Sequence, residues 1–200
     1  MEIHNYILGS HNSWSFLKPT KWWMKLIGFT AKCQRCPIAE QYYTYGVRCF
    51  DLHIRFDDLG NVKVVHGPIE YDMEGVNIEG YFNWANAQNE DIYIRLILDV
   101  RTRKAMYRYG YQRDCFQKFC ERVEKQYPKV RFWCGRMVTG WAKDFEFKIE
   151  PTCQECYGSV SKPALLDDWL PWLFARKNNK IIKQLGTTLD ILLIDYVDIG

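Results

Sequence analysis

Two hundred residues, 48% of them hydrophobic and 16% aromatic, suit a single domain over 1–200 with a sizeable core. A formal net charge of +3 is too small to bind nucleic acid by bulk electrostatics. No apolar run approaches the roughly eighteen residues of a membrane span, and the opening MEIHNYILGSHN lacks the basic and apolar regions of a secretory leader, so the expected location is cytoplasmic, or secreted after processing.

Ile3 to Leu8 is a predicted strand, ended by Gly9-Ser10-His11-Asn12. Pro19 and Thr20 then open a short helix carrying Trp22, Trp23, Met24, Leu26 and Ile27 among Lys21 and Lys25. Aromatic and basic residues mixed this way suit a membrane interface; the alternative is that the rings pack on the domain. Pro37 to Tyr45 reads as a helix, with Pro in its first turn and Gly46 past its end.

The most informative stretch is Val47 to Pro68, VRCFDLHIRFDDLGNVKVVHGP. It predicts a strand, a tight turn at Asp57-Asp58-Leu59-Gly60-Asn61, and a second strand that delivers His66. Alternate strand residues share a face, so Asp51, His53 and Arg55 point one way and Phe50, Leu52, Ile54 and Phe56 the other. The polar face has none of the Thr, Lys and Glu of an ordinary wet face, although a solvated hairpin edge is the plain alternative.

Val76 to Gln88 is predicted helical. Ile92 to Val100, IYIRLILDV, is a strong strand whose one face, continued past its end, carries Arg95, Ile97, Asp99 and Arg101. Arg113 to Tyr127 is an amphipathic helix with Phe116, Phe119, Cys120, Val123 and Tyr127 on one stripe, closed by Pro128. Strands follow at Val130 to Cys134 and Phe145 to Ile149, a helix at Lys162 to Arg176, and a buried strand, LDILLIDYV, at Leu189 to Val197. The last sets Asp195 opposite an apolar face. Strands alternating with helices argue for an α/β fold with a mainly parallel sheet. Functional residues late in strands fit a barrel, whose sites lie at the carboxyl ends of its strands.

Eight cysteines include two C-x-x-C pairs, Cys33/Cys36 and Cys153/Cys156. Together the pairs could hold a structural zinc, although 116 residues lie between them; otherwise they are unliganded or redox-variable thiols. Cys49, Cys115, Cys120 and Cys134 read as small core residues.

GSHNSWSFL, then GVRCFDLHIRFDDLGNVKVVHGP, then the terminal LLIDYVD resemble the X domain of phosphatidylinositol-specific phospholipase C. The resemblance covers about residues 6 to 100 and resumes near 190; the middle third matches loosely. It implies a distorted or abbreviated TIM-type (β/α) barrel and cleavage of a phosphodiester by two histidines. His11 would be the base that deprotonates the inositol 2-hydroxyl, giving a cyclic phosphate, and His66 the acid that protonates the diacylglycerol oxygen. Histidine suits both roles because its ordinary pKa lies near neutrality. Asp195 would orient the base, and Asp51 joins the catalytic set. The KPTKWWMKLIG segment resembles the short membrane-touching helix of bacterial members, with Trp22, Trp23, Lys21 and Lys25 as lipid contacts. The implied partners are a phospholipid substrate and a membrane surface, met peripherally. His4 reads as structural, and Arg136 as an inositol contact without motif support.

The chain departs from the family at its charge-stabilising group. Calcium-independent bacterial members carry Asp-x-Arg where this chain has Asp51-Leu52-His53; calcium-dependent members carry Glu-x-Asp, with an Asn beside the first His. Asn12 resembles the calcium type, and His53 matches neither. Two readings stay open. His53, Arg55 or Arg101 supplies the phosphate-binding charge and no cofactor is needed, or Asn12, Asp51 and Asp99 hold Ca2+. Two further function classes are a metal-dependent glycerophosphodiester phosphodiesterase or sphingomyelinase D-like enzyme, and a non-catalytic phosphoinositide-binding module.

Overall fold

The protein is seen in a computed structural model that describes residues 6–28, 32–134, 144–156, 172, 175–176 and 190–199. Its strands are β1 Ile7–Ser10, β2 Cys49–Phe56, β3 Val62–His66, β4 Ile69–Glu70, β5 Ile92–Leu98, β6 Val130–Trp133, β7 Cys153–Cys156 and β8 Ile191–Ile194. Six of them run parallel in the order β7-β8-β1-β2-β5-β6. β5 fills one edge of β2. The other edge is shared: Cys49 and Phe50 pair with β1, while Ile54 to Phe56 pair antiparallel with β3. The β2–β3 hairpin turns through Gly60 at φ +81°, as the sequence predicts.

Side-chain parity sorts the sheet into two faces. Phe50, Leu52, Ile54 and Phe56 of β2 join Ile94, Leu96 and Leu98 of β5 in the main core, against Phe82 of helix α3 (Ile78–Asn86) and the Phe116, Phe119, Cys120, Val123 stripe of α5 (Tyr109–Gln126). Burying one such side chain stabilises by roughly 1.5–3 kcal/mol, so this stripe fixes the helix on the sheet. The odd face behaves differently along its length. At the amino ends of the strands, Cys49, Trp133, Ile191 and Leu193 make a small apolar cluster. At the carboxyl ends the same face turns polar. Gly9 is required in this layer, because a Cβ there would lie 2.4 Å from the Leu193 side chain and 3.1 Å from Cys49 Cβ.

The architecture established is a mixed α/β fold around six parallel strands, with β6 and β7 unpaired to each other among the described residues. Two sequence expectations need revision. Phe145 to Ile149 is not a strand. Phe145 and Phe147 pack on the core from an irregular segment, Phe147 stacking on Phe132, and the strand lies later, at β7. Alternating burial there imitates a strand without ladder bonds. A short helix, α4 (Arg103–Tyr107), capped by the Thr102 hydroxyl, precedes α5 and was not expected. The remaining helices, α1 (Trp22–Ile27) and α2 (Ile38–Tyr43), fall where the sequence puts them. The expected helix at 162–176, apart from 172 and 175–176, lies outside the described residues, as do His4 and Arg136.

Candidate active site

His11 and Asp195 follow directly on β1 and β8, two parallel neighbours in matched register, Ser10 opposite Ile194. The two side chains therefore meet although 184 residues apart, with His11 Nδ1 2.8 Å from Asp195 Oδ1. The residues after them, Asn12 and Tyr196, both take left-handed backbone, φ 42° and 48°. Asn tolerates that region; a Tyr is held there only by its surroundings. The Tyr196 N–H donates to the Cys33 carbonyl at 2.6 Å, and its hydroxyl to the Lys32 carbonyl. Buried Gln34 ties the two strand ends together. Its amide nitrogen donates to the carbonyls of His11 (3.1 Å) and Ile194 (2.9 Å), and its oxygen accepts from the Val197 N–H (3.1 Å).

Asp51 organises the next layer. Oδ2 accepts the Asn12 N–H at 2.9 Å and lies 3.2 Å from His53 Nε2 and 3.9 Å from His11 Nε2. Oδ1 accepts from Arg95 Nε at 2.7 Å. Arg95 is fully buried, opposite Asp51 in the β2–β5 register and 5.5 Å over the Trp133 ring. Burial alone would push the Asp51 carboxyl up, yet Arg95 and then His53 hold it well below the usual carboxylate range.

His53 is fully buried between two carboxylates, Nε2 at 3.2 Å from Asp51 and Nδ1 at 3.3 Å from Asp99. A ring that donates at both nitrogens is an imidazolium. Burial opposes that charge, but Asp51 and Asp99 outweigh it and raise the His53 pKa. Asp99 also accepts the Gly67 N–H at 2.7 Å and the Arg101 guanidinium at 2.5 Å. Burial pushes its carboxyl up; His53 and Arg101 bring it well below the usual range.

His66 ends β3, its ring centroid 5.8 Å from that of His11 and 5.3 Å from that of His53. Burial, and then the charges of Arg101 and His53, hold its pKa well below the ordinary histidine value. That favours the neutral ring of His66. Arg101, its side chain 38% exposed, is the cation beside it with access to solvent. Arg55 instead turns to the Thr102 hydroxyl (2.9 Å) and the Gly67 carbonyl (3.4 Å).

Of the expected site residues, the structure brings His11, Asn12, Asp51, His53, His66, Asp99, Arg101 and Asp195 together and leaves Arg55 at the rim. The calcium set of Asn12, Asp51 and Asp99 does not fit that ion well. Calcium takes about six to eight oxygens, whereas both carboxylates are already bridged by guanidinium, imidazole and backbone N–H donors. The two C-x-x-C pairs are not gathered into one zinc site. Cys33 stands by Asp195, beyond the carboxyl end of β8, while Cys153 is paired with Ile191 at its amino end; Cys36 is buried, and the side chain of Cys156 lies outside the described residues. Trp22, Trp23 and Leu26 are 74%, 41% and 66% exposed, so these rings do not pack into the core. Among the described side chains of that helix, Met24 lies in the core. Pro19 bridges Tyr71, whose hydroxyl lies 3.5 Å from the Asn12 amide, so the aromatic helix stands beside the site.

Sequence reasoning named two members without the place they take here. Arg95 was legible only as an odd charge in an apolar strand, and Cys33 only as half of a C-x-x-C pair. Comparison with known proteins bears on the fold. No family model matches the chain, and no curated protein matches it by sequence. Among solved structures it is similar to phosphatidylinositol-specific phospholipase C from Listeria monocytogenes, at 14% identity and TM-score 0.58 over 96% of this chain and 88% of that one. It is also similar to the Staphylococcus aureus enzyme, at 14% identity and TM-score 0.51 over 96% and 86%, and to an F249X mutant of it at 17% and 0.52 over 97% and 87%. The chain has a phosphatidylinositol-specific phospholipase C-like fold.

Proposed function

We propose that the protein cleaves phosphatidylinositol-type phosphodiesters by general acid–base catalysis. The observation that carries this reading is the pair of histidines at two strand ends, their ring centroids 5.8 Å apart, with His11 anchored by the Asp195 carboxylate. Asp195 accepts from His11 Nδ1 and leaves Nε2 as the base that takes the 2-hydroxyl proton. The alkoxide closes on phosphorus, the bond to the diacylglycerol oxygen breaks, and His66 delivers its proton to that oxygen. The product is a cyclic inositol phosphate.

With its neutral ring favoured at rest, His66 must gain its proton with the substrate. The phosphodiester anion supplies the attraction that Arg101 and His53 deny it, and substrate binding takes up a proton. Arg101 meets the phosphate charge. His53, locked between Asp51 and Asp99, sets the field from behind and does not touch substrate. The reaction runs without calcium on this account, because Arg95, Arg101 and His53 already balance the carboxylates. Turnover of phosphatidylinositol should persist in chelator and change little on adding Ca2+. Loss of activity in chelator would favour a metal-dependent phosphodiesterase instead.

The substrate sits at an interface, so docking precedes catalysis. Trp22 and Trp23 suit headgroup depth, and Lys18, Lys21 and Lys25 each add about 1 kcal/mol toward anionic lipid, roughly fivefold in vesicle affinity. The double variant Trp22→Ala/Trp23→Ala should bind anionic vesicles several-fold more weakly and hydrolyse bilayer substrate more slowly. Hydrolysis of a short soluble phosphodiester should stay near wild type. Equal losses on both substrates would remove the membrane role from this helix.

A further inference from the structure

Cys33 has no part in that chemistry, yet its thiol lies in the site. One ligand atom from each of His11, Cys33 and His66 falls within 4.8 Å of the others. Cys33 is 1% exposed and His11 4%. Three separate parts of the chain supply them: the end of β1, the segment after α1 and the end of β3. Two imidazoles and a thiolate suit zinc, and three protein ligands with a fourth place open is the catalytic rather than the structural form of zinc site. Tetrahedral zinc spaces such ligand atoms about 3.3–3.6 Å apart, so the three side chains need draw in by only about 1 Å.

A second observation concerns orientation. Metal-bound histidines ordinarily give their other ring N–H to a carboxylate. His11 Nδ1 already does so, to Asp195 at 2.8 Å, and Nε2 is the ring nitrogen on the side of Asp51, 3.9 Å from its Oδ2.

We infer that His11, Cys33 and His66 form a zinc-type site, and that the bound ion holds the enzyme inactive. On binding, the Cys33 thiol gives its proton to solvent as the S–Zn bond forms. The imidazoles donate lone pairs, and nothing is oxidised or reduced. An occupied site withdraws the His11 lone pair that would abstract the substrate proton and a His66 nitrogen that would return it. The inhibition rests on the two-histidine reading; the metal site itself does not.

Cobalt tests the site, since thiolate ligation gives Co2+ an intense near-ultraviolet charge-transfer band. Titration of the metal-stripped protein with cobalt chloride should give stoichiometric binding with that band. Cys33→Ser should abolish the band, and His66→Gln should weaken binding by more than about tenfold, the least that loss of even a supporting group tends to cost. Cys153→Ser should change neither. Thermal unfolding reports whether each variant is folded, and His66→Gln carries the test should Cys33→Ser not fold. No band, a band that survives Cys33→Ser, or one lost in Cys153→Ser would overturn the site. Zinc should also suppress wild-type turnover of phosphodiester and spare Cys33→Ser. Cobalt binding as expected with turnover indifferent to zinc would remove the inhibitory role and leave the mechanism standing.

Discussion

His11→Ala and His66→Ala should each lower phosphodiester turnover about 10²- to 10⁴-fold, the usual worth of one positioned proton transfer. The site explains why both are needed. His11 is held by Asp195 with Nε2 facing inward, and His66 faces it from the end of another strand. Because the two act in one concerted passage, the double variant should lose less than the product of the single losses. The acid should also leave a signature in pH. His66 is depressed by burial and by Arg101, so it is charged only well below its ordinary range in the free enzyme. Affinity for an anionic substrate analogue should rise as pH falls toward that range, and His66→Ala should flatten the rise. Near-normal turnover in either single variant, on every phosphodiester tried, would end the two-histidine account. Kinetics of the folded variants, with the pH dependence of analogue binding, make the check.

Arg95→Met should be the most damaging change to stability among the site residues, about 3–5 kcal/mol, because it strands a buried carboxylate. Asp51 is fully buried, and Arg95 is the first of the charges that keep it ionised. For a chain of this size the loss corresponds to roughly 6–20 °C in melting temperature. Adding Asp51→Leu should recover part of it, since the pair replaced by apolar groups no longer leaves a charge unmatched. Arg131 makes a useful control. It pairs with Asp91 at 3.4 Å on the surface, both side chains about half exposed, and Arg131→Met should cost less than about 1 kcal/mol. Calorimetric melting of the wild type and the three variants measures all of this. Equal effects of Arg95→Met and Arg131→Met would mean that Asp51 is not the organising charge.

The local part of this architecture was legible in the chain. The alternation of CFDLHIRF assigns one face to the core and the other to Asp51, His53 and Arg55, and the two faces of β2 follow it. The stripe on α5 is likewise a pattern within one element. What joins elements was not legible from pattern. Asp51 meets Arg95 because β2 and β5 pair in parallel with those residues opposed, and no window of sequence contains that register. His11 and Asp195 were put together by similarity of their motifs to a known domain, not by periodicity. No sequence pattern singles out Gln34 or Gln41. In the fold they are buried clips, Gln41 donating to the Ser13 and Cys36 carbonyls. Phe145 to Ile149 misled for the opposite reason: alternation says which side chains are buried, not whether the backbone finds a partner strand.

The most direct test is the fate of the phosphorus atom. Phosphatidylinositol is incubated with the wild-type protein in chelator and the products are followed by phosphorus NMR. The account predicts a cyclic inositol phosphate as the first product, with diacylglycerol released in equal amount, and neither product from His11→Ala within the same time. Binding of the lipid without turnover, or a linear phosphate and free headgroup alcohol with no cyclic intermediate, would contradict it.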